Sequence, residues 1–231
     1  MTAWHLFTTN QYQFHGNLSA QETIVTQLKD KNTYVQLDKQ QFHFKDFVFE
    51  SEELDVIILE LDVPEGHRLP PSLPLMSPSH PFGCISAYSH KVTIIGYDGD
   101  GTKLVDISCL TIQVSKEECC LARQDLQKMG FHDDWYNGKP HNGKWYNDLA
   151  HPHLLPLKTH FAHGASGSPV VVPYEGKPLV IAMFIKGYPE FYWDLEDKYK
   201  RCIDEKFIIK AAVKLSMFDM DFIADDIMDR S

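Results

Sequence analysis

The chain reads as a mostly β protein of two subdomains, and three observations carry that reading. Apolar and polar residues alternate, or apolar β-branched residues run together, in many short stretches separated by glycine-rich turns. A segment from Pro64 to Pro81 holds six prolines and little periodicity, and it divides those stretches into two groups. Helical spacing is confined to one short stretch and the tail. At 231 residues, 43 % of them hydrophobic, the chain is long enough to build two small cores that share a cleft.

Each element follows in turn. Met1-Thr-Ala-Trp-His5-Leu-Phe begins as the end of a strand, with no polar lead-in. Between Leu18 and Lys29 the pattern is weaker, with some helical character, and reads as irregular. Residues 31–37 and 41–49 alternate as half-buried strands do. Asp55 then stands at the mouth of Val56-Ile-Ile-Leu-Glu-Leu61, an almost continuous apolar run. A carboxylate there is expected to be covered on one side and to face a cleft on the other. Beyond the prolines, Lys91 to Gly96 and Lys103 to Val114 are strands around the Gly/Asp turn Tyr97 to Gly101. Residues 116–129 have helical spacing and stop at Gly130. Residues 131–160 form a long polar loop rich in His, Trp, Tyr, Asn and Gly, of the kind that is usually functional. Strands resume at Val170 to Val172, Pro178 to Ile185 and Lys206 to Val213, with a charged insertion from Asp194 to Asp204. The tail, Leu215 to Met228, is expected to form an amphipathic helix packed on the body.

Charge and cysteine usage exclude several classes. With 22 basic residues against 32 acidic ones the net charge is −10, and no basic stripe is visible, which argues against direct nucleic-acid binding. No apolar run approaches the about 18 residues of a membrane span, and no secretory signal opens the chain. The cysteines are odd in number and Cys119 adjoins Cys120, which fits a reducing, intracellular compartment better than a disulfide framework.

The chemistry centres on His163-Gly-Ala-Ser166-Gly-Ser-Pro169. Glycines around a hydroxyl let the chain turn sharply and present that hydroxyl beside free backbone N–H groups. The alternative is a plain Gly/Ser/Pro turn entering a strand. A serine becomes a useful nucleophile when an imidazole takes its proton and a carboxylate orients that imidazole. His5, Asp55 and Ser166 supply those three types in an order found in paired β-barrels.

These residues carry a resemblance to the trypsin/chymotrypsin-like serine protease superfamily. Thr2-Ala-Trp-His5 resembles that family's Thr-Ala-Ala-His, and Gly164-Ala-Ser166-Gly-Ser-Pro169 resembles its Gly-Asp-Ser-Gly-Gly-Pro. A closer similarity is to its intracellular vertebrate branch, which acts in the nucleus on proteins trapped at replication forks. Glu52-Glu-Leu-Asp55, the Ile94-Ile-Gly turn leading to Val105-Asp-Ile-Ser-Cys109, and Gly164 to Val170 carry that similarity. The resemblance implies a chymotrypsin-like double β-barrel with a C-terminal helix. Residues 1–63 would form the first barrel, 64–84 the crossover, 85–218 the second barrel and 219–231 an acidic tail. His5 would be the general base, Asp55 its orienting carboxylate and Ser166 the nucleophile. The N–H groups of Gly164 and Ser166 would form the oxyanion hole, and Ile185 and Gly187 would lie along the strand that binds substrate backbone. The acidic determinant of trypsin-like specificity falls near His160 and is missing, so an apolar or aromatic residue is expected at the cleaved bond. The family has strands before its histidine motif where this chain has only Met1 to Trp4, so the first barrel is expected to lack its opening strands. The implied partner is a protein or peptide substrate, with self-cleavage as a further outcome, and no cofactor is implied.

Other readings compete. His151, His153, His160 and His163 lie close enough to suggest a zinc site, but Pro152 and Pro156 interrupt them and no cysteine or carboxylate pattern joins them, so no metal is expected. His43 reads as a strand residue, and Cys84 and Cys109 as packed thiols. Trp135, Tyr136, Trp145 and Tyr146 have the character of a stacking surface for bases, but the acidic balance favours a protein partner. The non-enzymatic alternative is a pseudoprotease that binds extended peptides by strand addition.

Overall fold

The computed structural model describes residues 2–3, 20–37, 39–51, 54–76, 90–97, 101–131, 135–136, 139–140, 146, 149, 151–161, 164–189, 191–192 and 195–217. Its architecture is mostly β. An open four-stranded sheet comes from the first part of the chain and a closed six-stranded barrel from the rest.

The sheet runs in the order β1 (Thr2–Ala3), β4 (Val56–Asp62), β3 (Gln40–Ser51), β2 (Val35–Leu37), all antiparallel. Strand β4 explains its position by alternation. Val56 and Ile58 face one way and pack with barrel residues, while Ile57 faces the other way and meets Ile24 and Leu28. Those two belong to helix α1 (Ala20–Leu28), where a spacing of four puts them on one face. Residues 18–29 were expected to be irregular. The helix forms because two buried side chains suffice to dock it on Ile57, and so short an apolar stripe leaves little periodicity to read.

The barrel closes in the order β10 (Pro169–Tyr174), β11 (Lys177–Tyr188), β12 (Ile209–Lys214), β9 (Leu154–Lys158), β6 (Lys103–Thr111), β5 (Lys91–Tyr97), and back to β10 through Val170 and Ile94. Val92, Ile94, Leu157, Val170, Ile181 and Ala212 fill its interior. Its outer face supplies Ile185, Tyr188 and Val213 to a second cluster, shared with Val56 and Ile58 of the sheet and with Ala122 and Leu126 of helix α2 (Lys116–Lys128). Strand β9 falls within the stretch expected to be one long polar loop, as does the two-stranded antiparallel ribbon of β7 (Trp135–Tyr136) and β8 (Lys139–Pro140). Leu154, Leu155 and Leu157 are buried there, and the flanking His and Pro residues hide this short apolar run.

Helix α2 begins at a capping box. The N–H of Glu118 donates to Ser115 Oγ, and the N–H of Ser115 donates to Glu118 Oε2. It ends at Gly130, whose φ of 92° turns the chain out of the helix. Between sheet and barrel the proline-rich strap (64–76) runs exposed without regular structure until Pro74 O accepts from Val180 N and Met76 N donates to Val180 O. Strand β12 reaches β11 only from Ala182 onward, so the strap covers the edge of β11 that β12 leaves open. Within the charged insertion lies one turn of helix, α3 (Asp197–Lys200). Leu215–Met217 forms a 3-10 turn, and the remainder of the expected C-terminal helix lies outside the described residues. No helix among the described residues is long and apolar enough to cross a membrane.

Candidate active site

Ser166 sits on a tight turn that feeds β10. Gly164 and Gly167 hold φ values of 92° and 88°, a region that a side chain would strain. Ala165 between them points into the barrel core and is fully buried, which anchors the turn from below. Three backbone bonds fasten its exit: Gly167 N to Phe184 O at 2.8 Å, Phe184 N to Ser168 O at 2.8 Å, and Ser168 N to Ala165 O at 3.0 Å. Ser168 in turn packs on buried Gly96 of β5, where any Cβ would collide with the Ser168 hydroxyl. The result is a half-buried Ser166 on a backbone fixed from both sides. Among the described residues no hydrogen bond engages the N–H groups of Gly164 and Ser166. The Ser166 hydroxyl donates to Ile185 O at 2.8 Å.

That bond joins the turn to β11. Pairing of β10 with β11 stops at Pro169 opposite Met183, whereas β12 continues along the other edge to Tyr188 opposite Ile209. Residues 185–188 therefore present one strand edge, beside Ser166, that no described strand covers. Strand alternation directs the N–H and C=O of Gly187 to that edge. Four of the residues singled out from the sequence, Gly164, Ser166, Ile185 and Gly187, thus come together on the barrel.

Asp55 stands at the other element. It occupies the turn entering β4, is buried, and has a φ of 56°, uncommon for a residue with a side chain. Its neighbours Leu54 and Val56 share a core cluster with Ile185 and Tyr188, which links the Asp55 turn to the Ser166 strand through packed side chains. Ala3 pairs opposite Val56, so the short strand ahead of the histidine motif lies alongside the Asp55 turn. His5 itself lies outside the described residues, as do His163 and Cys84.

A buried polar group that sequence reading missed lies at the end of the barrel below Gly187. Asp106 accepts from Thr159 Oγ1 at 2.6 Å, from Ser108 N and Oγ at 2.9 Å each, and from His160 N at 3.2 Å. Burial alone would raise its carboxyl, but these donors outweigh burial and hold it below the ordinary value. Lys210, opposite Gly187 on β12, donates from Nζ to Thr159 O at 2.6 Å. Burial brings its ammonium down to about 8, and the Asp106 charge opposes that shift. Cys109 is fully buried beside them, its thiol pushed up to about 12 by burial and by Asp106, which makes it an unreactive packed thiol. The visible signal was a lone lysine inside the apolar run Ile208 to Val213.

The remaining candidates resolve as follows. His151 and His153 have ring centres 4.9 Å apart, and His153 N donates to His151 Nδ1 at 3.3 Å. No group of three metal-binding side chains occurs among the described residues. Tyr146 is no stacking surface, because it is buried and its hydroxyl donates to Phe207 O at 2.7 Å. His43 is an exposed residue of β3, with Nδ1 3.2 Å from Thr33 O. No protein-family model matches this chain, and no curated protein matches it.

Proposed function

We propose that the chain is a serine endopeptidase of chymotrypsin-like double-barrel fold, hydrolysing peptide bonds through an acyl-enzyme on Ser166. The observation that carries this reading is the Ser166 turn: a half-buried hydroxyl, N–H groups at Gly164 and Ser166 that no described residue engages, and a strand edge at residues 185–188 that no described strand covers. An extended peptide added to that edge would bring its backbone past Ser166. A carbonyl there would lie within reach of the hydroxyl and of both N–H groups, which would stabilise the developing oxyanion. His5 would take the serine proton and return it to the leaving amine, with Asp55 holding the imidazole in the required tautomer. For this to occur the Ser166 hydroxyl must rotate from Ile185 O toward the imidazole. By resemblance the substrates are nuclear proteins trapped on replicating DNA, with the nucleus as the site of action and the cytoplasm as second choice.

A second reading keeps the peptide-binding edge without the chemistry. The bond from Ser166 Oγ to Ile185 O favours it, since a hydroxyl committed to a carbonyl is not offering its proton to a base. Labelling of the purified chain with a fluorophosphonate, read by mass spectrometry, separates the two. An adduct on Ser166 that vanishes in Ser166→Ala is the expected result. A folded chain that takes no label is the peptide-binding module.

A further inference from the structure

Neither reading of Ser166 uses the proline-rich strap, whose sequence is ordered more finely than a spacer needs. In Arg68-Leu-Pro70-Pro71-Ser-Leu73-Pro74 an arginine stands three residues ahead of Pro71 and six ahead of Pro74. Covalent geometry alone extends this stretch. Each proline fixes its own φ near about −65°, and Leu69, Pro70 and Leu73 each precede a proline, which drives them out of the helical region. Between Leu69 and Pro74 only Ser72 escapes both restraints. The favoured state is a polyproline II helix of about three residues per turn. None of residues 68–74 has a positive φ or belongs to a helix or strand. The threefold spacing sorts the side chains into ridges. Ser72 and Leu75 share one, and both line the cleft against Val180 and Met183 behind the Ser166 turn. Arg68, Pro71 and Pro74 share a second, Pro70 and Leu73 a third. All five are exposed, Leu73 keeping 45 % of its surface although it touches the same cleft. The body grips the strap only from Pro74 O onward. Among the described residues no backbone hydrogen bond engages residues 68–73 and no ion pair engages Arg68.

We propose that residues 68–74 are a docking peptide for a polyproline-reading protein domain. Its groove would hold two aromatic-walled pockets, one for Pro70 and Pro71 and one for Leu73 and Pro74, with an acidic pocket at one end for Arg68. Such a groove reads the two outward ridges, and a segment already held extended loses little conformational freedom on docking. A polyproline II helix presents much the same surface in either direction, so the arginine sets the direction. Its planar guanidinium suits a pair of carboxylates, which is why the partner groove is acidic as well as aromatic. The proposal goes beyond the protease reading and is independent of the chemistry at Ser166.

The probe is a panel of purified SH3 domains, whose grooves have this layout, titrated by calorimetry with the intact chain and with its Ser166→Ala form, which cannot digest the probe. At least one domain should bind the chain one to one, and a synthetic peptide of residues 66–76 should displace it. Pro71→Ala and Arg68→Glu should each weaken binding about tenfold or more, the loss expected of a central anchor. Pro64→Ala removes a proline outside the motif and should leave binding unchanged. All three positions are exposed, so each variant should unfold at the temperature of the wild type. If every domain fails to bind, if Arg68→Glu or Pro71→Ala binds as well as the wild type, or if the peptide binds and the intact chain does not, the proposal is overturned. A chain that binds in this way yet takes no fluorophosphonate label loses the protease reading and keeps the docking peptide.

Discussion

Asp106 and Lys210 show how single residues set the chemistry of the barrel end. The carboxylate is held by Thr159, Ser108 and His160, so its removal strands several buried donors. Asp106→Ala should cost about 2–4 kcal/mol, measured by urea unfolding, because each orphaned donor keeps its desolvation penalty. Lys210 acts in the opposite sense. Its folded-state pKa of about 8 lies below the unfolded value, so between about pH 8 and 10 the unfolded chain binds the extra proton. Stability attributable to Lys210 therefore rises with pH across that window, by at most about 1.4 kcal/mol per unit. Comparing urea midpoints of the wild type and Lys210→Met from pH 7 to 10 isolates the effect. The difference should move in favour of the wild type as pH rises. A difference that stays flat would mean that Lys210 titrates normally.

At the scale of elements, helix α2 is the clearest case of a local signal that survives folding. Ser115 and Glu118 cap it reciprocally, Gly130 ends it, and Ala122 and Leu126 dock it. Ser115→Ala should lower stability by about 1 kcal/mol in thermal or urea unfolding, leaving the barrel intact. That helix, the strands at 91–96 and 178–185, and the Gly-Ser turn were legible because each satisfies a local rule of capping, alternation or glycine geometry. Helix α1 was not, since its docking depends on Ile57 from a distant strand. Strand β9 was hidden for the same reason: its ladder with β12 and β6 is a long-range fact that no neighbour of Leu155 announces. Of the candidate site, the Ser166 turn was readable from its glycines. The Asp106, Thr159 and Lys210 group was not, because its members come from within β6, from just beyond β9 and from β12, which only barrel closure brings together.

For the whole molecule, the question is what holds the sheet that bears Asp55 against the barrel that bears Ser166. One buried cluster spans both: Leu54, Val56 and Ile58 from the sheet, Ile185, Tyr188 and Val213 from the barrel. The strap adds a backbone clamp at Val180. A shared core makes the two halves one cooperative unit, so they should melt in a single transition. Ile58→Ala removes part of the sheet's contribution and should cost about 2–4 kcal/mol. The decisive measurement is where that loss is felt. If the halves are coupled, amide exchange in β12 quickens along with exchange in β4, because both report the same global opening. Exchange that quickens in β4 alone would make the sheet an independent lobe. Any geometry linking Asp55 to Ser166 would then depend on how often that lobe docks, and labelling of Ser166 should fall in Ile58→Ala in proportion to the undocked fraction.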